Sequence, residues 1–115
     1  MDKVSQYRHY IHEVMQSLVK PDRTPMPGYD EYEEQLIMDD ERGHYYLMSV
    51  GWQKFKREHA CTVHIDLKGE KIWIQADWTD LILVDRFLEK GVPPEDIVLA
   101  FHAPYKRPHT GFAVA

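Results

Sequence analysis

The sequence predicts an α+β fold. Two helix-period stretches bracket a run of four strand-period segments, and one short apolar run follows the second helix. Strands grouped before the second helix fit α+β better than an alternating α/β order. The expected architecture is an N-terminal helix, two antiparallel β-hairpins, a second helix, then a final strand in a mixed sheet. A chain of 115 residues has room for one hydrophobic core, so residues 1–115 are read as a single domain.

Val4, Tyr7, Ile11, Val14, Met15 and Leu18 recur at three- and four-residue spacing, one face of an amphipathic helix running from about Asp2 to Val19. Pro21 ends it, because the residue before a proline avoids helical geometry. Pro21 to Gly28 holds three prolines and a glycine and reads as a loop. Glu33 to Asp39 and Tyr45 to Gly51 flank the polar turn Asp40-Glu41-Arg42-Gly43, a first hairpin.

The third strand alternates Cys61, Val63, Ile65 and Leu67 with Ala60, Thr62, His64 and Asp66. After the turn Lys68-Gly69-Glu70, Ile72, Ile74 and Ala76 alternate with Trp73 and Gln75, completing a second hairpin. Leu83, Val84, Phe87 and Leu88 then mark a helix, with Thr79 as the expected N-cap, Asp80 in the first turn and Gly91 at the C-terminus. Ile97 to Phe101 is apolar, partly β-branched and bounded by turn residues. It reads as a strand buried on both faces.

Composition narrows the function. The chain is 43% hydrophobic and 29% charged, as an ordinary globular protein is. Its formal charge is −5, with 14 Lys and Arg against 19 Asp and Glu. Binding DNA through phosphates normally requires a basic face, so direct nucleic-acid contact is not expected. Cys61 is the lone cysteine, which excludes an internal disulfide and a multi-cysteine zinc site, and its apolar surroundings predict a buried, inert thiol. The first residues lack the apolar core of a signal peptide, and no apolar run reaches bilayer-spanning length. A cytoplasmic protein without membrane contact is expected. There is no glycine-rich phosphate loop, no nucleophile elbow and no Cys-x-x-Cys pair.

Four blocks, in order, carry a family resemblance. They are Asp39-Asp40-Glu41-Arg42-Gly43-His44-Tyr45-Tyr46-Leu47 running into Val50-Gly51-Trp52, then His64-Ile65-Asp66-Leu67-Lys68, then Lys71-Ile72-Trp73-Ile74-Gln75. The last is Gly91-Val92-Pro93-Pro94-Glu95-Asp96-Ile97-Val98-Leu99, followed by Phe101-His102-Ala103-Pro104-Tyr105-Lys106-Arg107 and Phe112-Ala113-Val114. In these blocks the chain resembles the XisI family, the fdxN element excision controlling factor proteins known mainly from cyanobacteria. Trp78 is a departure, standing where the family pattern carries a small turn residue. The resemblance implies an accessory role in programmed DNA excision, beside a site-specific recombinase and a companion XisH-like protein. It supplies no catalytic residues.

Four constellations are candidates for function. His64 and Asp66, two apart in a strand, point to one face and could share an ion, completed by His59, His44 or His102. The sequence shows no compact third ligand, and the competing reading is a polar strand face, so no metal or cofactor is assigned. Asp39-Asp40-Glu41-Arg42 could hold a cation, but Arg42 favours local ion pairing in a solvated turn. The segment from Phe101 to His109 unites cations, an aromatic and a proline-stiffened backbone; it is either a contact surface or a tail packed by Tyr105 and Phe112 with Lys106 and Arg107 in water.

Finally, Trp52, Trp73 and Trp78 are either core or interface. Trp73 should face away from Ile72 and Ile74 and cover the first helix or a partner; Trp78 is expected to be exposed. The expectation is a non-catalytic accessory factor that binds a XisH-like protein or a recombinase, with a homodimer through the same sheet as a further expected association. Its partner-binding residues are Trp73, Trp78, His102, Tyr105, Lys106 and Arg107. The alternatives are a metal-dependent hydrolase and a DNA-binding regulator.

Overall fold

A computed structural model describes residues 2–19, 26–79 and 82–115. Most of the proline-rich segment, and Asp80 in the predicted second helix, lie outside the described residues. Helix α1 runs Lys3–Leu18. Asp2 is its cap, with a side-chain oxygen accepting the Ser5 N–H at 2.7 Å and so satisfying one of the amides a helix start leaves unpaired. Tyr7, Ile11, Val14 and Met15 are buried, on the face the periodicity predicted.

Strands β1 (Glu31–Asp39), β2 (His44–Gln53), β3 (Lys56–Lys68) and β4 (Lys71–Asp77) pair successively and antiparallel. Helix α2 (Leu83–Glu89) then crosses over to β5 (Ile97–Leu99), which lies parallel to β4. The result is one mixed sheet in the order β1-β2-β3-β4-β5. Both helices lie against one face. Tyr45, Leu47, Val63, Ile65, Ile72 and Ile74 from that face join Ile11, Met15, Leu83 and Phe87 in a single core. Among the described residues no helix covers the other face. None is long and apolar enough to cross a membrane.

Two bulges move side chains that strict alternation would place elsewhere. Leu47 pairs with Val63 but Met48 with Cys61, so Thr62 is an extra residue in β3, and its hydroxyl donates to the Leu47 carbonyl at 2.9 Å. The shift carries Cys61 out of register with Val63 and opposite Met48. It is half-buried rather than buried, and the burial it has pushes its thiol pKa up, away from reactivity. In β4, His64 pairs with Ala76 and Ile65 with Ile74, making Gln75 the extra residue. Ala76 therefore shares a face with His64, not with Ile72 and Ile74 as the alternation predicted.

Three further expectations are corrected. The α2 N-cap is Ile82, not Thr79, and it makes no side-chain cap bond. Thr79 instead turns back on Asp77, its N–H and hydroxyl both reaching Oδ1, at 3.1 and 2.6 Å, while Leu83 N–H reaches Asp77 Oδ2 at 3.4 Å. Asp77 thus supplies from the strand end the acceptor that the cap lacks. Strand β5 stops at Leu99, because Ala100 and Phe101 enter a turn; Ile97 and Val98 are buried as predicted, whereas Phe101 is exposed. Trp73 does not cover α1, since the helix lies across the opposite face of the sheet.

The C-terminus of α2 ends as expected. Gly91, at φ 95°, donates to the Leu88 carbonyl at 3.0 Å and Val92 N–H to Phe87 at 3.1 Å, closing the helix with a left-handed residue that glycine adopts without a side-chain clash.

Candidate functional site

The open face of the sheet carries a compact polar cluster. Turn residue Gly43 sets its register. At φ 74° its N–H donates to Asp39 O at 2.8 Å and its carbonyl accepts Leu67 N–H at 2.9 Å, so β2 enters tight against β3. A Cβ at this position would stand 2.5 Å from the Leu67 carbonyl oxygen, which only glycine avoids. The next residue, His44, then lies opposite Asp66, and Tyr46 opposite His64.

Cross-strand geometry does the rest. His44 Nδ1 is 2.7 Å and His64 Nε2 2.8 Å from the same oxygen, Asp66 Oδ1. Gln75, turned by the β4 bulge, donates from Nε2 to the other oxygen at 3.1 Å. The Tyr46 ring lies 4.3 Å from the His64 imidazole, centre to centre. Asp66 has only 12% of its side chain exposed. Burial alone would raise its pKa, but the hydrogen bonds from His44 and His64 outweigh that and hold it below the usual carboxylate range. Of the three histidines the sequence offered as a companion for His64 and Asp66, register selects His44; neither His59 nor His102 joins the group.

The acidic turn behaves as a turn. Asp39 accepts the Arg42 backbone N–H at 3.0 Å and its guanidinium at 3.2 Å, while Asp40 accepts from Tyr45 at 2.9 Å and lies 2.7 Å from His12 Nε2. Burial, then the bond to Asp40, pushes the Tyr45 hydroxyl up to about 12. The groove between α1 and α2 is likewise internally paired, Lys90 to Glu13 at 2.6 Å and Arg86 to Ser17 at 2.7 Å.

The second region is the end of the sheet where β4 and β5 finish. Because the two strands are parallel, Trp78 after β4 and the segment from Phe101 to Arg107 after β5 leave the sheet at the same end. Trp78 is 79% exposed, Tyr105 73% and Phe101 50%. Trp73 lies on the open face, opposite Val98 of β5. Lys68 Nζ lies 3.8 Å and the Arg107 guanidinium 5.8 Å from its ring, and its Nε1 donates to Lys68 O at 3.2 Å. The His102 ring lies 4.6 Å from that of Phe101, centre to centre and tilted against it, and Lys106 Nζ lies 5.8 Å from the Tyr105 ring.

Arg107 is engaged within the chain. Nε donates to His102 O at 3.0 Å, NH2 to Ala100 O at 3.3 Å and NH1 to Val114 O at 3.3 Å. It laces the tail against β5 instead of standing in water. Phe112 packs on the core while Tyr105 does not, so the tail is half anchored and half presented.

Phe101, which the sequence placed both at the end of the last strand and at the start of the candidate contact segment, belongs to the latter, while Phe55, 99% exposed at the tip of the β2–β3 hairpin, was not foreseen. The run Lys54-Phe55-Lys56-Arg57 could have marked that tip, being polar on both sides of a lone aromatic.

The comparisons with known proteins agree with this architecture. The family model for XisI protein matches residues 1–114. The chain belongs to the XisI family. A crystal structure of a XisI-like protein from Anabaena variabilis superimposes with a TM-score of 0.87 at 38% identity, covering 97% of this chain and 99% of that one. The crystal structure of fdxN element excision controlling factor XisI, also from Anabaena variabilis, gives a TM-score of 0.83 at 37% identity, covering 99% and 100%. Curated proteins yield no match. The XisI family fold is thus shared over the full sheet, both helices and the tail.

Proposed function

We propose that this chain is a non-catalytic, cytoplasmic controlling factor for excision of a DNA element, and that it acts by binding a protein partner. Membership of the XisI family and likeness to a solved protein described as an fdxN element excision controlling factor support the biological role. The partner is a XisH-like protein or a site-specific recombinase.

The observation that carries the binding reading is the exposure of Trp78, Phe101 and Tyr105, in the segments that follow the parallel strands β4 and β5. Large aromatics are costly to leave in water, and they are enriched at the energetic centres of interfaces. Lys106, beside Tyr105, supplies charge at the rim, where it steers association more than it strengthens it. With Arg107 spent on backbone carbonyls, its contribution is to hold this surface in shape.

The test is co-purification of the tagged chain with a XisH-like protein, followed by size-exclusion chromatography and calorimetry. A stable complex is expected. Trp78→Ser with Tyr105→Ser should weaken it by at least about thirtyfold, the equivalent of about 2 kcal/mol at a hot spot. Elution of the two proteins apart, in parallel with the same result for the recombinase, overturns the partner reading. A complex indifferent to both substitutions overturns the surface.

A further inference from the structure

The polar cluster on the open face has a donor set and a layout that simple surface decoration does not require. Three potential ligand atoms, one each from His44, His64 and Asp66, all lie within 4.8 Å of one another, and His44 Nδ1 and His64 Nε2 both approach Asp66 Oδ1. His44 and Asp66 are the pair that closes one end of the β2–β3 ladder, and His64, opposite Tyr46, lies diagonally across from His44, so their backbones belong to strands rather than to a loop. A bulge in β4, which costs the sheet a regular pair, turns Gln75 so that its amide holds the far oxygen of Asp66 and leaves Oδ1 facing the imidazoles. An amide bracing a carboxylate from behind is the arrangement that orients metal ligands.

We propose that His44, His64 and Asp66 form a binding site for a divalent transition-metal ion of the zinc class, with Gln75 as the residue that positions Asp66. Two imidazoles and one carboxylate suit zinc, cobalt or nickel and leave a fourth position open. The fit requires little movement. Around a tetrahedral ion with bonds of about 2.0–2.2 Å, neighbouring ligand atoms stand about 3.3 Å apart. The two His–Asp contacts of 2.7 and 2.8 Å therefore need to open by about half an ångström, which side-chain rotation supplies. The open position faces solvent, because His44 is 43% exposed, and a water or a side chain from another protein can occupy it. The Tyr46 ring against His64 restricts the imidazole and shields one side of the site. This inference stands on the cluster alone and does not depend on where a partner binds.

The experiment uses the full chain, stripped with chelator and titrated with Co²⁺ alone. Binding in the site gives intense visible d–d bands of four- or five-coordinate cobalt at one equivalent, and Zn²⁺ displaces them. His44→Ala and His64→Ala should each weaken binding more than tenfold, and Gln75→Ala by about tenfold, the effect of losing a supporting hydrogen bond. Asp66→Asn, nearly isosteric, separates loss of a ligand from loss of fold, with circular dichroism confirming structure. His9→Ala, on the solvent side of α1, should change nothing. The proposal is overturned if cobalt keeps the weak spectrum of its six-coordinate aqua ion. It is equally overturned if the bands persist undiminished in folded His44→Ala, His64→Ala and Asp66→Asn variants.

Discussion

At the scale of the residue, the most informative group away from the cluster is Asp96. It is buried between α1 and the short helical turn before β5, where Tyr7 donates to it at 2.5 Å and Lys3 pairs with it at 2.8 Å. Burial acts to raise its pKa, but the bonds from Lys3 and Tyr7 prevail and the carboxyl is held below its ordinary value. The same burial and the same bond raise the pKa of Tyr7. A carboxylate whose folded pKa is depressed stabilises the fold fully above its unfolded pKa, and that stabilisation is lost as pH falls through the folded value. Asp96→Asn should therefore cost about 1–3 kcal/mol at neutral pH. In urea titrations its gap from the parent should narrow as the pH drops below about 4. A gap that stays constant from neutral to acid pH would show that charge is not what Asp96 contributes. Its burial could not be read from Pro93-Pro94-Glu95-Asp96, which looks like any solvated turn.

At the scale of the element, the β2–β3 hairpin contains a local conflict. Gln53 pairs with Lys56, so Lys54 and Phe55 form a two-residue loop, and Lys54 takes φ 54°. Left-handed backbone costs a non-glycine residue about 1–2 kcal/mol, and such loops normally place glycine or asparagine there. The Lys54 N–H bond to Asp30 at 2.7 Å and the long ladder below it hold the turn regardless. Lys54→Gly, which keeps that N–H, should raise stability by up to about 1 kcal/mol, read as a higher urea midpoint at an unchanged slope. Lower stability would mean that the lysine side chain contributes more than its backbone costs. The β1–β2 and β3–β4 hairpins were legible in the sequence because turn residues punctuate them, whereas Lys54-Phe55 carries no such residue. The two bulges were not, since Thr62 and Gln75 break no compositional rule; what they change is pairing with a strand far along the chain.

At the scale of the whole molecule, both sheet edges are protected by different means. The β1 edge carries Glu31, Glu33 and Glu34, and charge on an edge strand discourages pairing with another chain. The β5 edge is covered: Ala113 bridges to Val98 and donates to Ile97 O at 2.9 Å, and Arg107 ties the tail down. Arg107→Ala should release this cover. Faster amide hydrogen exchange at Ala113 and in β5 is expected, together with a concentration-dependent shift towards larger species by light scattering. Unchanged exchange would place the cover's strength in Phe112 packing on the core rather than in the guanidinium.

Taken alone, the sequence determined the α+β class, the order of elements, the buried face of α1, the C-terminal stop of α2 and, through its ordered blocks, the XisI family. These are local or near-local properties, set by hydrophobic period, turn chemistry and a linear pattern of residues. Tertiary structure alone decided that His44, and not His59 or His102, joins His64 and Asp66; that Gln75 braces them; that Arg107 turns inward; and that the segments carrying Trp78 and Phe101 follow two parallel, neighbouring strands. Each of these depends on strand register, bulge position or parallel crossover. Those are fixed by the free energy of closing one core around the whole sheet, a quantity that no short window of sequence contains.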